Sequence, residues 1–310
     1  MQEYDIIIIG AGPAGLTAAM YCARAKMKTL IIGDMVPGGQ TMLTDRIENY
    51  PGFESISGMD LMMNMYKQVE KLNVLIVTKK ATEILQDENG FIIKTKTENF
   101  KALAVIIATG ATYKHLGVKG EKEFGGRGVS YCGVCDAPFF KDKEIAIIGG
   151  GDTAVYEAVY LLKFASKLHI IHRRDRLRAT KIMQDKVLQN PKTKVHWESV
   201  LEEIAGNRTV ESIRIKNVKT EESTEVKVDG VFIFVGINPL SDIAKEIVTI
   251  DNKGYVLTDQ QMHTSCKGVF ACGDVRSKIL RQVSTAVGEA ATAAFSAQQY
   301  VEKMKGEAYI

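Results

Sequence analysis

One pattern occurs twice in this chain: an apolar run, a glycine turn, an alanine-rich stretch and a second apolar run. The first copy, DIIIIGAGPAGLTAAMYCARAKMKTLII, begins at Asp5, and the second, EIAIIGGGDTAVYEAVYLLKFASKLHII, begins at Glu144. Runs this rich in isoleucine are typical of parallel strands that are buried on both faces. Each copy therefore predicts a βαβ unit, and the two together predict two nucleotide-binding domains of the doubly wound type.

Later segments fit the same α/β class. Residues 229–235, DGVFIFV, predict another buried strand, and residues 264–275, TSCKGVFACGDV, predict a strand, a glycine turn and an acid. A helix is expected from about Gln282 to Tyr300, because small and apolar residues recur there at spacings of three and four. No low-complexity linker separates these segments, so the domain boundaries have to be inferred from the motifs.

The first glycine turn, GAGPAG, matches the G-x-G-x-x-G pattern of dinucleotide-binding folds and lies between a strand and a helix. Gly10 permits the tight turn, Gly12 lets the backbone approach a pyrophosphate, and Gly15 lets the helix pack on the strand. An acid for the ribose hydroxyls is expected about 20 residues further on. Gly33 stands at that place with Asp34 next to it, so Asp34 either reaches the ribose or only starts the next turn.

The second glycine turn, GGGDTA at residues 149–154, has alanine in place of the third glycine. The ribose position after it is His172, followed by Arg173, Arg174 and, further on, Arg178. Arginine without an acid suits a dinucleotide that carries a 2′-phosphate, because guanidinium groups bind phosphate bidentately and a carboxylate would repel it. The alternative is a solvent-exposed basic helix start. We favour NADPH, because the arginines fall at the ribose position of a complete motif.

Two of the five cysteines, Cys132 and Cys135, have C-x-x-C spacing. Such a pair forms a redox-active disulfide, binds a metal ion or is buried and inert. Zinc needs four ligands and the chain has no second C-x-x-C, so we expect no metal. Asp136 follows directly, and it either exchanges protons beside the sulfurs or caps a helix before Pro138.

Length and charge limit the class of protein. The chain has 310 residues, with 40 Lys and Arg against 37 Asp and Glu, and it contains no run of five or six like charges. We therefore expect two domains and no nucleic-acid partner. No stretch approaches the roughly 18 apolar residues that span a membrane, and residues 1–5 lead directly into a strand rather than a cleavable signal. These features predict a cytoplasmic protein without a membrane partner.

Taken in order, the motifs resemble those of bacterial-type, low-molecular-weight thioredoxin reductases over essentially the whole chain. Along the sequence they are GAGPAG, GGQ at 38–40, ENYPGF at 48–53, ATG at 108–110, CGVCD, GGGDTA, HRRDRLRA, GVFACGDV and LRQV at 280–283. The resemblance implies an α/β fold with two Rossmann-like, three-layer nucleotide-binding domains. It implies an NADPH-binding domain at residues 115–243, inserted into a discontinuous FAD-binding domain at residues 1–114 and 244–310.

The resemblance also implies the site residues. Those for FAD are Gly10, Gly12, Pro13, Ala14, Gly15, Gly33, Asp34, Gly39, Gln40, Asn49, Ala108, Thr109, Gly110, Gly273, Asp274, Arg281, Gln282 and Val283. Those for NADPH are Gly149, Gly151, Asp152, Thr153, Ala154, His172, Arg173, Arg174 and Arg178. The catalytic residues are Cys132, Cys135 and Asp136. By family analogy Cys135 lies next to the flavin, Cys132 attacks thioredoxin, and Asp136 is the acid.

The family mechanism implies a sequence of electron transfers. NADPH gives a hydride to FAD, the reduced flavin reduces the Cys132–Cys135 disulfide, and the dithiol reduces thioredoxin or a thioredoxin-like protein through a mixed disulfide. One domain rotates against the other between half-reactions, with hinges expected near residues 114–118 and 238–242. A homodimer is expected. The alternatives are a peroxiredoxin or other thioredoxin-like partner, ferredoxin as the donor, or a non-catalytic flavin- or nucleotide-binding module with structural cysteines.

Four positions depart from the expected patterns, the first being Gly33, which lacks the ribose acid of generic flavin-binding Rossmann units, as some family members do. Ala137 stands where glycine is usual, and it is expected to alter the backbone freedom beside the acid. Tyr156 replaces a common glutamate, and Cys272 replaces a small alanine close to the flavin. None of these changes removes a chemical group that the mechanism needs.

Overall fold

The computed structural model describes residues 1–33, 37–44 and 47–308, with the backbone alone for Leu43. The strands are β1 Gln2–Ile9, β2 Thr29–Gly33, β3 Leu75–Thr78, β4 Ala81–Asp87, β5 Gly90–Thr95, β6 Asn99–Ile107, β7 Ala111–Tyr113, β8 Val129–Ser130, β9 Glu144–Ile148, β10 Lys167–Ile171, β11 Thr193–His196, β12 Ser199–Gly206, β13 Val210–Asn217, β14 Ser223–Lys227, β15 Gly230–Ile233, β16 Ile237–Pro239 and β17 Val269–Ala271. The α-helices are α1 Pro13–Arg24, α2 Gly58–Glu70, α3 Gly133–Asp136, α4 Asp152–Leu161, α5 Lys181–Leu188 and α6 Val283–Lys305. Short 3-10 helices occupy Gly39–Leu43, Ala137–Phe140, Asp242–Ala244 and Gly273–Val275.

Both predicted βαβ units are present, as β1-α1-β2 and β9-α4-β10. Helix α1 begins with Pro13, which suits a first helical position because the N–H that proline lacks would have no partner there. Helix α6 extends beyond its predicted end at Tyr300, and Gly306 follows it in the left-handed conformation at φ 72°. No helix of the described residues is long and apolar enough to cross a membrane.

The chain divides into two compact units, of which unit 1 comprises Met1–Thr112 and Asn238–Ile310. Its sheet has the order β3-β2-β1-β6-β5-β4, and β17 pairs in parallel with the end of β6. Side chains of β1 alternate between the two faces of this sheet. Ile6 and Ile8 pack with apolar residues of α1 and α6, whereas Ile7 and Ile9 pack into the layer on the opposite face. Unit 1 is therefore a three-layer α/β structure.

Unit 2 is the uninterrupted stretch Tyr113–Ile237. Its parallel sheet has the order β11-β10-β9-β15-β8. Ile145 and Ile147 of β9 pack with apolar residues of α4 and α5, and Ile148 packs against the antiparallel sheet β12-β13-β14. The predicted fold class, two three-layer α/β domains with one inserted into the other, is confirmed. The compact unit runs from 113 to 237, where the sequence placed the inserted domain at 115–243.

The two crossings between the units lie within β7 and β16, which form a two-stranded sheet of their own. At the ends of unit 2, the N–H of Lys114 donates to the carbonyl of Gly236 at 3.0 Å. In unit 1, the N–H of Leu240 donates to the carbonyl of Gly110 at 3.0 Å. The first and last residues of unit 2 are therefore neighbours, which an inserted domain requires.

Candidate active site

The first glycine turn, in unit 1, joins β1 to α1. Gly10 has φ 113°, which favours glycine, and a Cβ there would overlap the carbonyl of Ala108. A Cβ on Gly15 would overlap the carbonyl of Gly10, so α1 packs directly on the turn. In contrast, a Cβ on Gly12 would meet no atom within 4 Å. Two of the glycines therefore serve close packing, and the third leaves open space where a ligand can approach the backbone.

The loop after β2 returns to this turn. The N–H of Gly38 donates to the carbonyl of Ala11 at 2.7 Å. A Cβ on Gly39 would lie 3.4 Å from the Cα of Gly12. Gly39, predicted to lie along the flavin, is thus next to the glycine that faces open space.

The ribose position of the first βαβ unit is described only in part. Gly33 is buried as the last residue of β2. Asp34 lies outside the described residues, and its contact with a ribose stays a prediction.

Residues 108–110 follow β6 and adjoin the same region. The amide Nε2 of Gln40 donates to the carbonyl of Ala111 at 2.8 Å. The hydroxyl of Thr109 donates to the carbonyl of Leu240 at 2.6 Å, and Gly110 has φ 74°. The predicted ATG segment thus contacts the chain that returns into unit 1, and the residue after it contacts the Gln40 loop.

The far end of the chain reaches the first glycine turn as well. Gly273 has φ 76°, and a Cβ there would lie 2.9 Å from the Cβ of Ala14. Gln282 is the N-cap residue of α6, and its side-chain oxygen accepts a hydrogen bond from Asn49 at 3.0 Å. Val283, the first residue of α6, packs beside a small apolar cluster that includes Met62. Unit 1 therefore brings together candidate FAD residues from both ends of the sequence.

Beside Gly273 lies a network of charged side chains that sequence reasoning missed. Glu289 of α6 accepts the N–H of Gly273 at 2.9 Å and forms ion pairs with Arg276 at 3.0 Å and Lys278 at 3.3 Å. Lys278 also lies 3.0 Å from Oδ1 of Asp274. The Glu289 and Arg276 side chains are largely buried, and that of Lys278 is 6% exposed. In the sequence, the signal for Glu289 was that it is an isolated acid on the alanine-rich face of a predicted helix.

Two polar atoms in this region lack a hydrogen bond within the described residues. They are Nε of Arg281 and Oδ1 of Asp274, the second of which is compensated only by its ion pair with Lys278. Both atoms are buried, and an unsatisfied buried polar atom is costly. Together with the open space at Gly12, they fit a polar cofactor with phosphate and hydroxyl groups, as FAD has.

The second glycine turn, in unit 2, joins β9 to α4. Gly149 has φ 148°, and a Cβ on Gly150 would overlap the ring of His172. A Cβ on Gly151 would meet only the guanidinium of Arg178, at 3.9 Å. The N–H of Arg178 also donates to the carbonyl of Gly150 at 2.7 Å. Folding therefore places His172 and Arg178 directly at this turn.

The basic segment is a series of bends, and it does not begin a helix: α5 starts only at Lys181. Arg173, Arg174 and Arg178 are exposed, whereas His172 is buried. Burial lowers the pKa of His172, and the charges of the three arginines lower it further. The neutral ring and the exposed guanidinium groups leave a positive surface that suits a phosphate.

The first turn of α4 follows the second glycine turn. Asp152 and Thr153 are exposed there, whereas Ala154 is buried, and a Cβ on Gly149 would lie 2.9 Å from its methyl group. The alanine that replaces the third glycine therefore packs under the turn. Unit 2 places all the candidate NADPH residues along one turn and its adjoining segment.

The C-x-x-C pair is a disulfide. Cys132 and Cys135 are bonded, with their Cα atoms 5.3 Å apart, and both lie in unit 2. Cys132 is the N-cap of α3, and its sulfur accepts the N–H of Cys135 at 3.2 Å. Ser130 accepts the N–H of Cys132 at 3.1 Å and donates to the carboxylate of Asp136 at 2.5 Å. A single serine thus holds the candidate acid to the turn that carries the disulfide.

The pairing of the two sulfurs bears on the metal alternative. The sulfurs of Cys132 and Cys135 are bonded to each other, so neither is a thiolate ligand here. Within residues 1–33, 37–44 and 47–308, no group of three or more His, Cys, Asp or Glu side chains is placed to hold a metal ion. Ala137 is fully buried in helical conformation, so the position does not need glycine.

The remaining cysteines are poor nucleophiles. Cys22 and Cys272 are fully buried, and burial raises the pKa of Cys22 to about 12. Burial raises the pKa of Cys272 further still and raises that of the partly buried Cys266. These thiols stay protonated near neutral pH, so the redox chemistry falls to the Cys132–Cys135 pair.

A buried glutamate that the sequence analysis also missed supports the strand before the disulfide. Glu121 is 3% exposed and accepts the Tyr131 hydroxyl at 2.8 Å, together with the backbone N–H of Leu116 and Gly117. Tyr131 immediately precedes Cys132 and stacks on Tyr113 with ring centroids 5.2 Å apart. This buried carboxylate therefore anchors the residue that leads into the redox turn.

Comparison with known proteins identifies the family. The pyridine nucleotide-disulphide oxidoreductase family matches residues 4–290 of the chain. Thioredoxin reductase of Bacillus subtilis (strain 168) is 47% identical over 303 residues, which cover 97% of this chain and 96% of that protein. This chain belongs to the thioredoxin reductase family.

Other members of the family agree. The thioredoxin reductase of Peptoclostridium acidaminophilum is 47% identical over 306 residues, covering 96% of this chain and 97% of that protein. The crystal structure of thioredoxin reductase from Streptococcus pyogenes MGAS5005 is 47% identical, with a TM-score of 0.94 and coverage of 97% of this chain and 99% of that chain. The resemblance to thioredoxin reductases found in the sequence motifs is confirmed.

Proposed function

We propose that this chain is an NADPH-dependent flavoenzyme that reduces the disulfide of thioredoxin or a thioredoxin-like protein. The observation that carries the proposal is the Cys132–Cys135 disulfide, held beside Asp136 in a unit whose glycine turn adjoins exposed arginines. The names of the relatives support thioredoxin as the acceptor. The homodimer and the cytoplasmic location stay predictions.

FAD would be held in unit 1. The backbone of Gly12 would face its pyrophosphate, and Asp274 and Arg281 would satisfy their buried polar atoms on its hydroxyl and carbonyl groups. Of the other predicted FAD residues, Gly39, Ala108 and Gly273 adjoin this turn, and Asp34 lies outside the described residues. A bound flavin supplies the two-electron chemistry that connects a reduced nicotinamide to a disulfide.

NADPH would be held in unit 2. The second glycine turn and the start of α4 would face its pyrophosphate, and Arg173, Arg174 and Arg178 would bind its 2′-phosphate. His172 packs on Gly150 and fixes the segment from which these arginines project. The arginines favour NADPH over ferredoxin as the donor.

The chain's own residues would carry the disulfide chemistry. Reduction breaks the Cys132–Cys135 bond with two electrons, and two protons complete the dithiol. Asp136, which Ser130 ties to the turn that carries the disulfide, would exchange a proton with a sulfur of the pair. Cys132 would then attack the partner disulfide, and Cys135 would displace the reduced partner from the mixed disulfide. Rotation of the units about residues 114–118 and 238–242 would alternate these steps.

The test is replacement of Cys135 by serine. Cys135→Ser removes the sulfur that closes the disulfide, so we expect loss of NADPH-driven thioredoxin reduction by more than about a thousandfold, with bleaching of the flavin by NADPH retained. Anaerobic titration of the native protein should bleach the flavin and release two thiols per chain. NADPH, NADH and reduced ferredoxin should be compared as donors, and thioredoxins and peroxiredoxins as acceptors.

The matched control is Cys266→Ser, the same substitution at a partly buried cysteine outside the site. This variant should keep native turnover. Thioredoxin reduction by Cys135→Ser at the native rate would contradict the proposed function.

A further inference from the structure

Glu157 lies on α4 and faces the turn that carries the disulfide. A Cβ on Gly133, the residue after Cys132, would overlap Oε2 of Glu157, so the carboxylate lies directly against the backbone between the two cysteines. That oxygen is buried and makes no hydrogen bond of normal geometry among the described residues, although the backbone N–H groups of Gly133 and Val134 stabilise the charged carboxylate. A buried carboxylate without a cationic partner is costly, so its place behind the redox turn calls for a functional explanation.

The surroundings of Glu157 act on its charge in opposite directions. Burial raises the pKa of Glu157, and the backbone N–H groups of Val134 and Gly133 offset that effect only in part. The apolar side chain of Leu161 also approaches Gly133, 3.4 Å from the position of a Cβ there. The carboxylate therefore meets backbone and apolar groups where it contacts the redox turn.

The titratable groups on the two packed helices are few. At α3 they are its N-cap Cys132 and Cys135, which are bonded to each other, and Asp136, which accepts a hydrogen bond from Ser130. On α4 they are Asp152, which is exposed in the first turn, and the tyrosines Tyr156 and Tyr160. When the disulfide opens, two new titratable thiols appear in the turn that Glu157 contacts.

We propose that Glu157 is a positioning residue that keeps the reduced Cys132–Cys135 pair in the protonated dithiol form. Opening the disulfide consumes two electrons and two protons, and a negative charge behind Gly133 repels a thiolate at either sulfur. Both protons then stay on the pair until a partner disulfide is presented. The proposal rests on the proposed function in one respect only, that the pair is reduced during turnover.

The test measures thiol ionisation directly. The holoprotein is reduced with a phosphine and alkylated with iodoacetamide between pH 5 and 10, and the adducts at Cys132 and Cys135 are quantified by peptide mass spectrometry. Glu157→Gln keeps the side-chain shape and removes the charge. We expect the midpoint of its profile to fall by about 0.5 to 1 pH unit, and its rate at pH 7 to rise about three- to tenfold. An unchanged or raised midpoint would overturn the proposal.

Two further variants complete the test. Glu225→Gln makes the same substitution at an exposed residue of β14 in the same unit, and it should leave the profile unchanged. Glu157→Asp keeps the charge but withdraws it by one methylene, so it should give an intermediate midpoint; it also carries the test if Glu157→Gln does not fold. Equal profiles for native protein and Glu157→Asp would overturn the proposal in that case.

An equilibrium measurement separates this proposal from the proposed function. In glutathione buffers at pH 9, Glu157→Gln should favour the dithiol over the disulfide about three- to tenfold more than the native protein does, because its thiolate is less destabilised. No difference would count against the role of Glu157. Failure of the native protein to reduce thioredoxin with NADPH would contradict the proposed function alone, since both measurements here use chemical reductants.

Discussion

At the scale of single residues, the motifs identify residues whose roles depend on their immediate neighbours in the chain. Gly10 and Gly15 were expected to allow a tight turn and a close approach, and both meet backbone atoms that would overlap a Cβ. Glu157 and Glu289 were missed, because each acts on a backbone group that is distant in sequence, on Gly133 and Gly273 respectively. A local pattern has no way to indicate such a contact, since it depends on how helices pack on loops.

The arginines after β10 give a prediction at this scale. Replacing Arg173 and Arg178 together by alanine should raise the KM for NADPH by about ten- to a hundredfold, because a hydrogen bond to a charged group contributes roughly 1.5 to 3 kcal/mol. The KM for NADH, which lacks the 2′-phosphate, should change far less. Steady-state kinetics with both nucleotides provides the measurement, and equal changes in the two KM values would remove the 2′-phosphate assignment.

At the scale of elements, the sequence predicts best those strands and helices whose own hydrophobic pattern is enough to identify them. Strands β1 and β9 are buried on both faces and their continuous apolar runs reveal them, whereas the antiparallel strands β4-β5 and β12-β14 were not anticipated. Strand β13 reads VESIRIKN, in which Glu211 and Arg214 are exposed while the apolar side chains face a core that the rest of unit 2 supplies. Such strands are defined by their partners as much as by their own residues.

The pair of parallel strands β10 and β11 carries a pH-dependent contact. His169 and His196 stack with ring centroids 5.3 Å apart, and their ring nitrogens Nδ1 and Nε2 are 3.0 Å apart. Burial, together with the neighbouring His169, lowers the pKa of His196 to about 4. Because the folded pKa is below the unfolded value of about 6.5, the unfolded chain binds more protons in this range. The stability of the neutral pair is complete above pH 6.5 and is lost as the pH falls towards 4.

We therefore expect the Tm of the native protein to fall more steeply between pH 6.5 and 4 than that of His196→Gln, by roughly 2 to 4 °C. Differential scanning calorimetry across this pH range measures the effect. Gln keeps a polar side chain that does not titrate, so parallel curves for the two proteins would show that the histidine pair does not govern acid stability.

At the scale of the whole molecule, the order of motifs carries much of the architecture. In the sequence, the GGGDTA turn stands between the segments around Gly10 and Gly273, and those two segments meet at one site in the structure. Because the resemblance assigns both of them to one FAD domain, the unit between them has to be an insertion. The exact crossings at 112–113 and 237–238 could not be read in the same way. They depend on how β7 pairs with β16, and these strands are too short to give a sequence pattern.

The adjacent ends of unit 2 predict that it folds by itself. Its two apolar clusters are built from its own residues, and Lys114 is hydrogen-bonded to Gly236. A fragment of residues 113–237 should unfold in one cooperative transition, form the Cys132–Cys135 disulfide and bind 2′,5′-ADP. Circular dichroism and calorimetry test the folding. A fragment without a cooperative transition would show that unit 2 needs unit 1 to fold.

The paired crossings also determine how the molecule would respond to mechanical load. Residues near both termini, in β1 and α6, belong to unit 1, whereas unit 2 is entered and left through neighbouring strands. Tension applied to the termini is therefore borne first by unit 1, while the ends of unit 2 are held side by side and feel little of it. An unfoldase that pulled on either terminus would dismantle the candidate flavin site before it reached the disulfide.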